Sequence, residues 1–132
     1  MNAGKAKRDD LVYPELSYEI LGCFFDVWNN LGGGYKENTY QKAVAIRLKE
    51  KGLAVQEQAP TKLLYRGQEV GRFYFDFLIE EKVVVEIKAR SYFSQKDIQQ
   101  ILSYLKTSGL KLGLLIHFTP DGVKYKRIVN II

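Results

Sequence analysis

The tripeptide Glu86-Ile87-Lys88 ends a stretch, residues 82–89, that otherwise reads as an apolar β-strand. With a two-residue period, Val83, Val85 and Ile87 share one face, and Val84, Glu86 and Lys88 share the other. Two charged groups therefore stand on one face of a strand whose other residues favour burial. A lone buried charge is costly, so these groups must be paired, exposed or bound to an ion. Asp76 raises the same problem on the preceding strand, residues 72–79. There Phe73, Phe75, Phe77 and Ile79 are expected on one face, with Tyr74, Asp76 and Leu78 on the other.

The two strands form a hairpin around Glu80-Glu81-Lys82. A loop centred on Glu81 sets Asp76 directly opposite Glu86, with Cβ atoms about 5 Å apart. One residue more or fewer would send Asp76 to the other face, so the chemistry requires an odd-length loop or a bulge. Two carboxylates at that distance repel, and a divalent cation relieves the repulsion. Oxygen ligands of this kind suit Mg2+ or Mn2+, with water in the remaining positions. Bound to a phosphodiester, such an ion polarises the phosphoryl oxygen and acidifies a coordinated water. Lys88 can orient that water or stabilise charge on the phosphate. A cross-strand salt bridge between Lys88 and Glu86 or Asp76 explains these three residues equally well.

The rest of the chain supplies the frame. Leu16, Ile20, Cys23, Val27 and Leu31 recur at helical spacing from Pro14 to the stop at Gly32-Gly33-Gly34. Tyr40, Val44 and Leu48 stripe a second helix over residues 37–51, which Gly52 ends. Three strands follow, at residues 61–66, 72–79 and 82–89. A third helix, residues 95–108, is capped by Ser94, with Asp97 completing a short capping box. Ile98, Ile101, Leu102 and Leu105 give it a core-facing stripe, leaving Gln100 and Tyr104 on a face away from that stripe. Two last strands occupy residues 111–118 and 123–131. The order α-α-β-β-β-α-β-β predicts an α/β mixed sheet flanked by helices, with the third helix as a crossover.

A chain of 132 residues suits a single domain, residues 13–132, behind a flexible basic tail, residues 1–12, that includes Lys5, Lys7 and Arg8. Lys and Arg outnumber Asp and Glu by 20 to 15, a balance that favours a polyanionic partner without requiring one. The single cysteine, Cys23, sits in the first helical stripe. It excludes an intrachain disulfide and a cysteine zinc site, and points to a reduced, cytoplasmic setting. No apolar stretch approaches the roughly 20 residues that span a bilayer. The lone His117, inside an apolar strand, reads as structural and argues against a Ser–His hydrolase. The triple glycine lacks the Lys-Ser/Thr of a phosphate loop. Arg66, Arg72 and Arg90, with Tyr65, Tyr74 and Tyr92, flank the charged strands and read equally as backbone contacts for nucleic acid or as ordinary strand ends.

Three elements together resemble the PD-(D/E)XK nuclease superfamily, within it the small proteins named for a GxxExxY motif. That motif reads Gly34-Tyr35-Lys36-Glu37-Asn38-Thr39-Tyr40. Asp76 and, after nine residues, Glu86-Ile87-Lys88 match the superfamily signature. Gln100-Ile101-Leu102-Ser103-Tyr104 looks like the QxxxY element of RecB-type and phage exonucleases. The resemblance implies a restriction-endonuclease-like core and a metal-dependent nuclease acting on nucleic acid, DNA before RNA. It implies that Asp76, Glu86 and the backbone carbonyl of Ile87 ligate Mg2+ or Mn2+, with Glu37 a further ligand or acting through water. Lys88 would be the catalytic lysine, and Gln100 and Tyr104 would help place the substrate or hold the site. Phe75 stands where the signature often has proline. A non-catalytic nucleic-acid-binding or scaffolding domain that keeps the fold is the alternative. With no separate recognition domain, specificity is left to a partner protein or a homo-oligomer.

Overall fold

An apolar strand buried along its whole length, β4 (Leu112–Thr119), forms the centre of the molecule. Continuous burial of this kind requires cover on both faces, and helices supply it. A computed structural model describes residues 12–130; the rest of the expected basic tail, with Lys5, Lys7 and Arg8, and the final Ile131 and Ile132 lie outside the described residues. The remaining elements are α1 (Pro14–Leu31), α2 (Glu37–Glu50), β1 (Val55–Tyr65), β2 (Gln68–Ile79), β3 (Val83–Lys88), α3 (Gln95–Ser108) and β5 (Gly122–Val129). The strands lie in the order β1-β2-β3-β4-β5. Only β3 and β4 pair in parallel, and α3 is the crossover that this parallel pair requires.

Helices α1 and α2 cover one face, where Ile20, Phe24, Val44 and Leu48 pack on Val83, Val85, Ile87, Leu114 and Ile116. Helix α3 covers the other through Ile101 and Leu105, which meet Val84, Leu115, Phe75 and Ile128. Each large side chain so buried contributes about 1.5–3 kcal/mol. Gly113 lets α3 approach β4: a Cβ there would lie 2.4 Å from Ile101 Cγ2 and 3.2 Å from Val84 Cγ1. Cys23 is buried in the first of these cores.

Two sequence expectations are corrected. The first concerns length: β1 starts at Val55 and β2 at Gln68, well before residues 61 and 72. The added residues are mostly exposed and half of them are polar, so no apolar alternation marks them; β1 is an edge strand, which is why it tolerates Pro60. The second concerns faces. Phe77 and Ile79 pack under α1 and α2, whereas Phe73 and Phe75 pack against α3. The β1–β2 register stays constant across the change, Glu57↔Phe77 and then Ala59↔Phe75, with Gln58 and Asp76 unpaired between them. Gln58 there takes a left-handed φ of 50°. Both strands change face together at that one position, and the β1–β2 arm beyond it turns to pack on α3.

Candidate active site

The break in the sheet lies where the charged residues converge. The β2–β3 ladder runs Ile79↔Val83, Leu78↔Val84, Phe77↔Val85 across the loop Glu80-Glu81-Lys82, an odd-length loop with Glu80 and Glu81 both at positive φ. One pair further on, side chains replace the ladder. The Asp76 N–H donates to Glu86 Oε1 at 3.2 Å, and the Ile87 N–H donates to Asp76 Oδ2 at 2.7 Å. Each carboxylate is thus held by the backbone of the opposite strand. Lys88 Nζ lies 3.5 Å from Glu86 Oε2, the two side chains being 22% and 19% exposed. Gln58 Nε2 reaches Asp76 Oδ1 at 3.5 Å; nothing in the sequence pattern singled out Gln58, because its left-handed backbone leaves no compositional mark.

Burial dominates the electrostatics. Glu86 is pushed up to about 8, first by desolvation and then by the charge of Asp76, with Lys88 pulling the other way. Asp76 is also raised, first by burial and to a lesser extent by the charge of Glu37, against the opposing pull of the Ile87 N–H, Glu86 and Lys88. Two such carboxylates are hard oxygen donors that a divalent cation would relieve of both desolvation and mutual repulsion, so the pair fits Mg2+ or Mn2+. Among the described residues no group of three His, Cys, Asp or Glu side chains gathers to hold an ion.

Glu37 reaches this end of the sheet from the start of α2, and its Oε2 accepts the Ala89 N–H at 3.2 Å, one residue beyond Lys88. Its charge also acts on Asp76, though among the described residues the three carboxylates are not gathered into one cluster. The residues around it explain the motif's spacing. Gly34 turns at φ 94°, a conformation other residues rarely adopt. Tyr40 is buried, its ring stacked 4.0 Å from Phe118. Its hydroxyl donates to the Gly32 carbonyl at 2.7 Å and accepts the Tyr35 N–H at 3.3 Å. Tyr40 thus holds the loop that delivers Glu37.

The α3 residues are placed differently from expectation. Tyr104 does not stand away from the apolar stripe: its ring packs 5.2 Å from Phe75, within the α3 core. Phe75 is there because β2 has changed faces. Gln100 lines a shallow cleft with Leu63, Phe73 and Lys96. Among the described residues, neither is hydrogen-bonded to Asp76, Glu86 or Lys88. Ser94 caps α3 as expected, accepting the Lys96 and Asp97 N–H groups, but Asp97 pairs with Arg90 rather than returning a bond to the cap.

His117 is buried beside Lys88 in the parallel register. Its Nδ1–H donates to the Arg90 carbonyl at 2.7 Å, and its ring rests on Phe93. Burial lowers its pKa, opposed by that bond, which ties the segment after Lys88 to β4.

A mixed five-stranded sheet with α1 and α2 on one face, α3 on the other and paired carboxylates where β2 parts from β3 is the PD-(D/E)XK nuclease fold. The family model described as the PD-(D/E)XK nuclease superfamily matches residues 14–128, and the chain belongs to that superfamily. Among solved structures, SSO0001 superposes with a TM-score of 0.52 at 18% identity, over 95% of this chain and 62% of that one. An alkaline exonuclease (LHK-Exo) from Laribacter hongkongensis gives a TM-score of 0.49 at 17% identity, over 65% of this chain and 52% of that one. This chain therefore spans roughly half to two thirds of those structures. Comparison with curated proteins finds no match.

Proposed function

We propose that this protein is a divalent-metal-dependent nuclease that hydrolyses phosphodiester bonds of nucleic acid, with DNA its substrate. The observation that carries the reading is the reciprocal exchange that sets the Asp76 and Glu86 carboxylates side by side, each held by a backbone N–H, with Lys88 within 3.5 Å of Glu86. Superfamily membership supports the reaction class. Asp76, Glu86 and the Ile87 carbonyl would hold Mg2+ or Mn2+, with Glu37 acting through water. When bound, the ion would supply polarisation of the phosphoryl oxygen and acidification of an attacking water.

The chain's own residues do the rest. The Ile87 and Asp76 N–H groups fix the two carboxylates before any substrate arrives, so little reorganisation is needed. Lys88, partly buried, carries its ammonium on the same sheet face and offers it to charge developing on the phosphate or to the attacking water. Glu37 ties α2 to the segment after Lys88. Tyr104 acts as packing beneath β2, and Gln100 is the one α3 motif residue with a side chain free to meet a substrate strand. We take residues 13–132 as one domain working in the cytoplasm, a setting that suits the lone buried thiol of Cys23. Partner proteins or self-association are the proposed source of specificity.

The test is incubation of labelled single- and double-stranded DNA and RNA with Mg2+ or Mn2+. Wild type is expected to cleave DNA only with metal, and Lys88→Ala or Asp76→Ala to lose at least about 100-fold, as removal of charge-stabilising groups does. One observation favours a second reading: Lys88 is already paired with Glu86, as a salt bridge on a non-catalytic binding domain would be. Wild type that binds DNA but cleaves no substrate above the two variants would establish that reading instead.

A further inference from the structure

The proposed site does not end at Lys88. Direct partners across a sheet share a face, and the register carries two rows from β3 through β4 to β5: Lys88–His117–Lys124 and Glu86–Leu115–Lys126. Strands lie about 4.8 Å apart, so Lys124 stands about 10 Å along the row from Lys88, within reach of neighbouring phosphates of one strand. Both β5 lysines are exposed. Among the described residues neither is paired with a carboxylate. Lys126 lies 4.9 Å over the Phe93 ring, which itself covers His117. In the β3–α3 loop, next in sequence to Phe93, Tyr92 is 65% exposed, with the Arg90 guanidinium 5.1 Å from its ring centre. The nearby carboxylate, Asp97, is already engaged by Arg90.

The opposite flank has comparable composition, but both its arginines are engaged, and its exposed lysine, Lys62, lies opposite Arg72, outside the rows that carry Lys88 and Glu86. Arg66 lies against Tyr65 at the tip of the β1–β2 arm, bonded to its hydroxyl at 3.1 Å. Arg72 is held by two bonds to Glu69. Lysines free of ion pairs and in register with Lys88 and Glu86, with an exposed aromatic on the adjoining β3–α3 loop, therefore mark the β5 flank. We propose that a nucleic-acid strand leaves the scissile position across the β3–α3 loop and over β5. Lys124 and Lys126 hold its phosphates and Tyr92 stacks on a base. This inference rests on the proposed nuclease reading for its direction and adds the path of the strand.

Binding can be read without cleavage. Fluorescence anisotropy of labelled single- and double-stranded DNA oligonucleotides in EDTA, over a salt series, compares wild type with Lys124→Gln/Lys126→Gln, with Tyr92→Ala, and with Lys62→Gln/Arg66→Gln on the β1–β2 arm. The β5 double variant is expected to bind about tenfold more weakly near 0.1 M salt. Its log–log salt slope should fall by roughly 1.5, as loss of two phosphate contacts requires. Tyr92→Ala is expected to weaken single-stranded binding roughly tenfold and duplex binding less. Unchanged affinity and slope in the β5 variant, or an equal loss in the arm variant, would overturn the proposal. So would wild type that binds anionic lipid vesicles but no oligonucleotide. Wild type that binds through β5 yet never cleaves with Mg2+ or Mn2+ would sink the nuclease reading and leave the β5 path standing.

Discussion

Replacing Glu86 by Gln removes one of the two buried charges that face each other where β2 and β3 part. Asp76 on β2 and Lys88 on β3 are the ionisable groups that act on it, and Glu37 at the start of α2 acts on Asp76. The carboxyl's ordinary value of 4.5 is pushed up to about 8 in the fold. The folded protein therefore holds a proton there that the unfolded chain has released, and this group's contribution to stability falls as pH rises from about 4.5 to 8. At ~1.4 kcal/mol per tenfold change in proton affinity, the full displacement amounts to about 5 kcal/mol. Some of that repulsion belongs to the pair and would be relieved through Asp76, and Gln loses the Lys88 contact at 3.5 Å. A gain of about 2 kcal/mol is then expected for Glu86→Gln at pH 8 without metal, falling towards zero at pH 5. For a domain of this length that is about 6–8 °C in Tm. Thermal unfolding at pH 5, 6.5 and 8 in EDTA measures it directly. Addition of Mg2+ at pH 8 should then stabilise wild type and leave the variant unmoved. A variant less stable than wild type at pH 8, or a difference that does not change with pH, would refute the electrostatic account of the pair.

Other perturbations follow from the same geometry. Tyr40→Phe leaves the Gly32 carbonyl and Tyr35 N–H without their partner and should cost about 1–2 kcal/mol in urea unfolding. It should also lower cleavage through the displaced Glu37. Gly113→Ala forces a methyl to 2.4 Å from Ile101 and should destabilise by about 1–3 kcal/mol, which the urea midpoint would show. For His117, Asn places an amide N–H near Nδ1 and Gln places one near Nε2. His117→Asn should therefore retain the bond to the Arg90 carbonyl and exceed His117→Gln by about 1 kcal/mol in stability. Slower amide exchange at residues 89–91 in the Asn variant is the matching readout.

The elements themselves were legible because they are periodic. The α1 stripe, the α3 stripe and the valine run of β3 each declare a buried face, and the single parallel pair follows from the length of the α3 crossover. The odd loop at Glu81 was readable by a different route, from the requirement that Asp76 and Glu86 share a face, and the register agrees. What composition could not show was the change of face at Gln58 and Asp76. Alternation assumes an unbroken strand, and Phe73, Phe75, Phe77 and Ile79 satisfy it whether or not the chain turns over between them. The same blind spot hid the packing of Tyr104 on Phe75 and the contact between Gln58 and Asp76.

That break also accounts for the carboxylates' exchange of bonds. In a continuous β2–β3 ladder, two carboxylates on one buried face would confront each other with their backbone N–H groups spent on carbonyls. Here the ladder stops at Phe77↔Val85, and the next N–H groups, those of Asp76 and Ile87, are left to bind the side chains instead. Burying a carboxylate without such donors would be far costlier. The departure of the β1–β2 arm towards α3 opens the sheet beside Glu86 and Lys88, and those two side chains stay about one fifth exposed as a result. One structural event therefore gives the pair its donors and its access. A substitution that restored a regular strand there, such as Gln58→Val with its β-branched aversion to positive φ, should disturb the site before it disturbs the core.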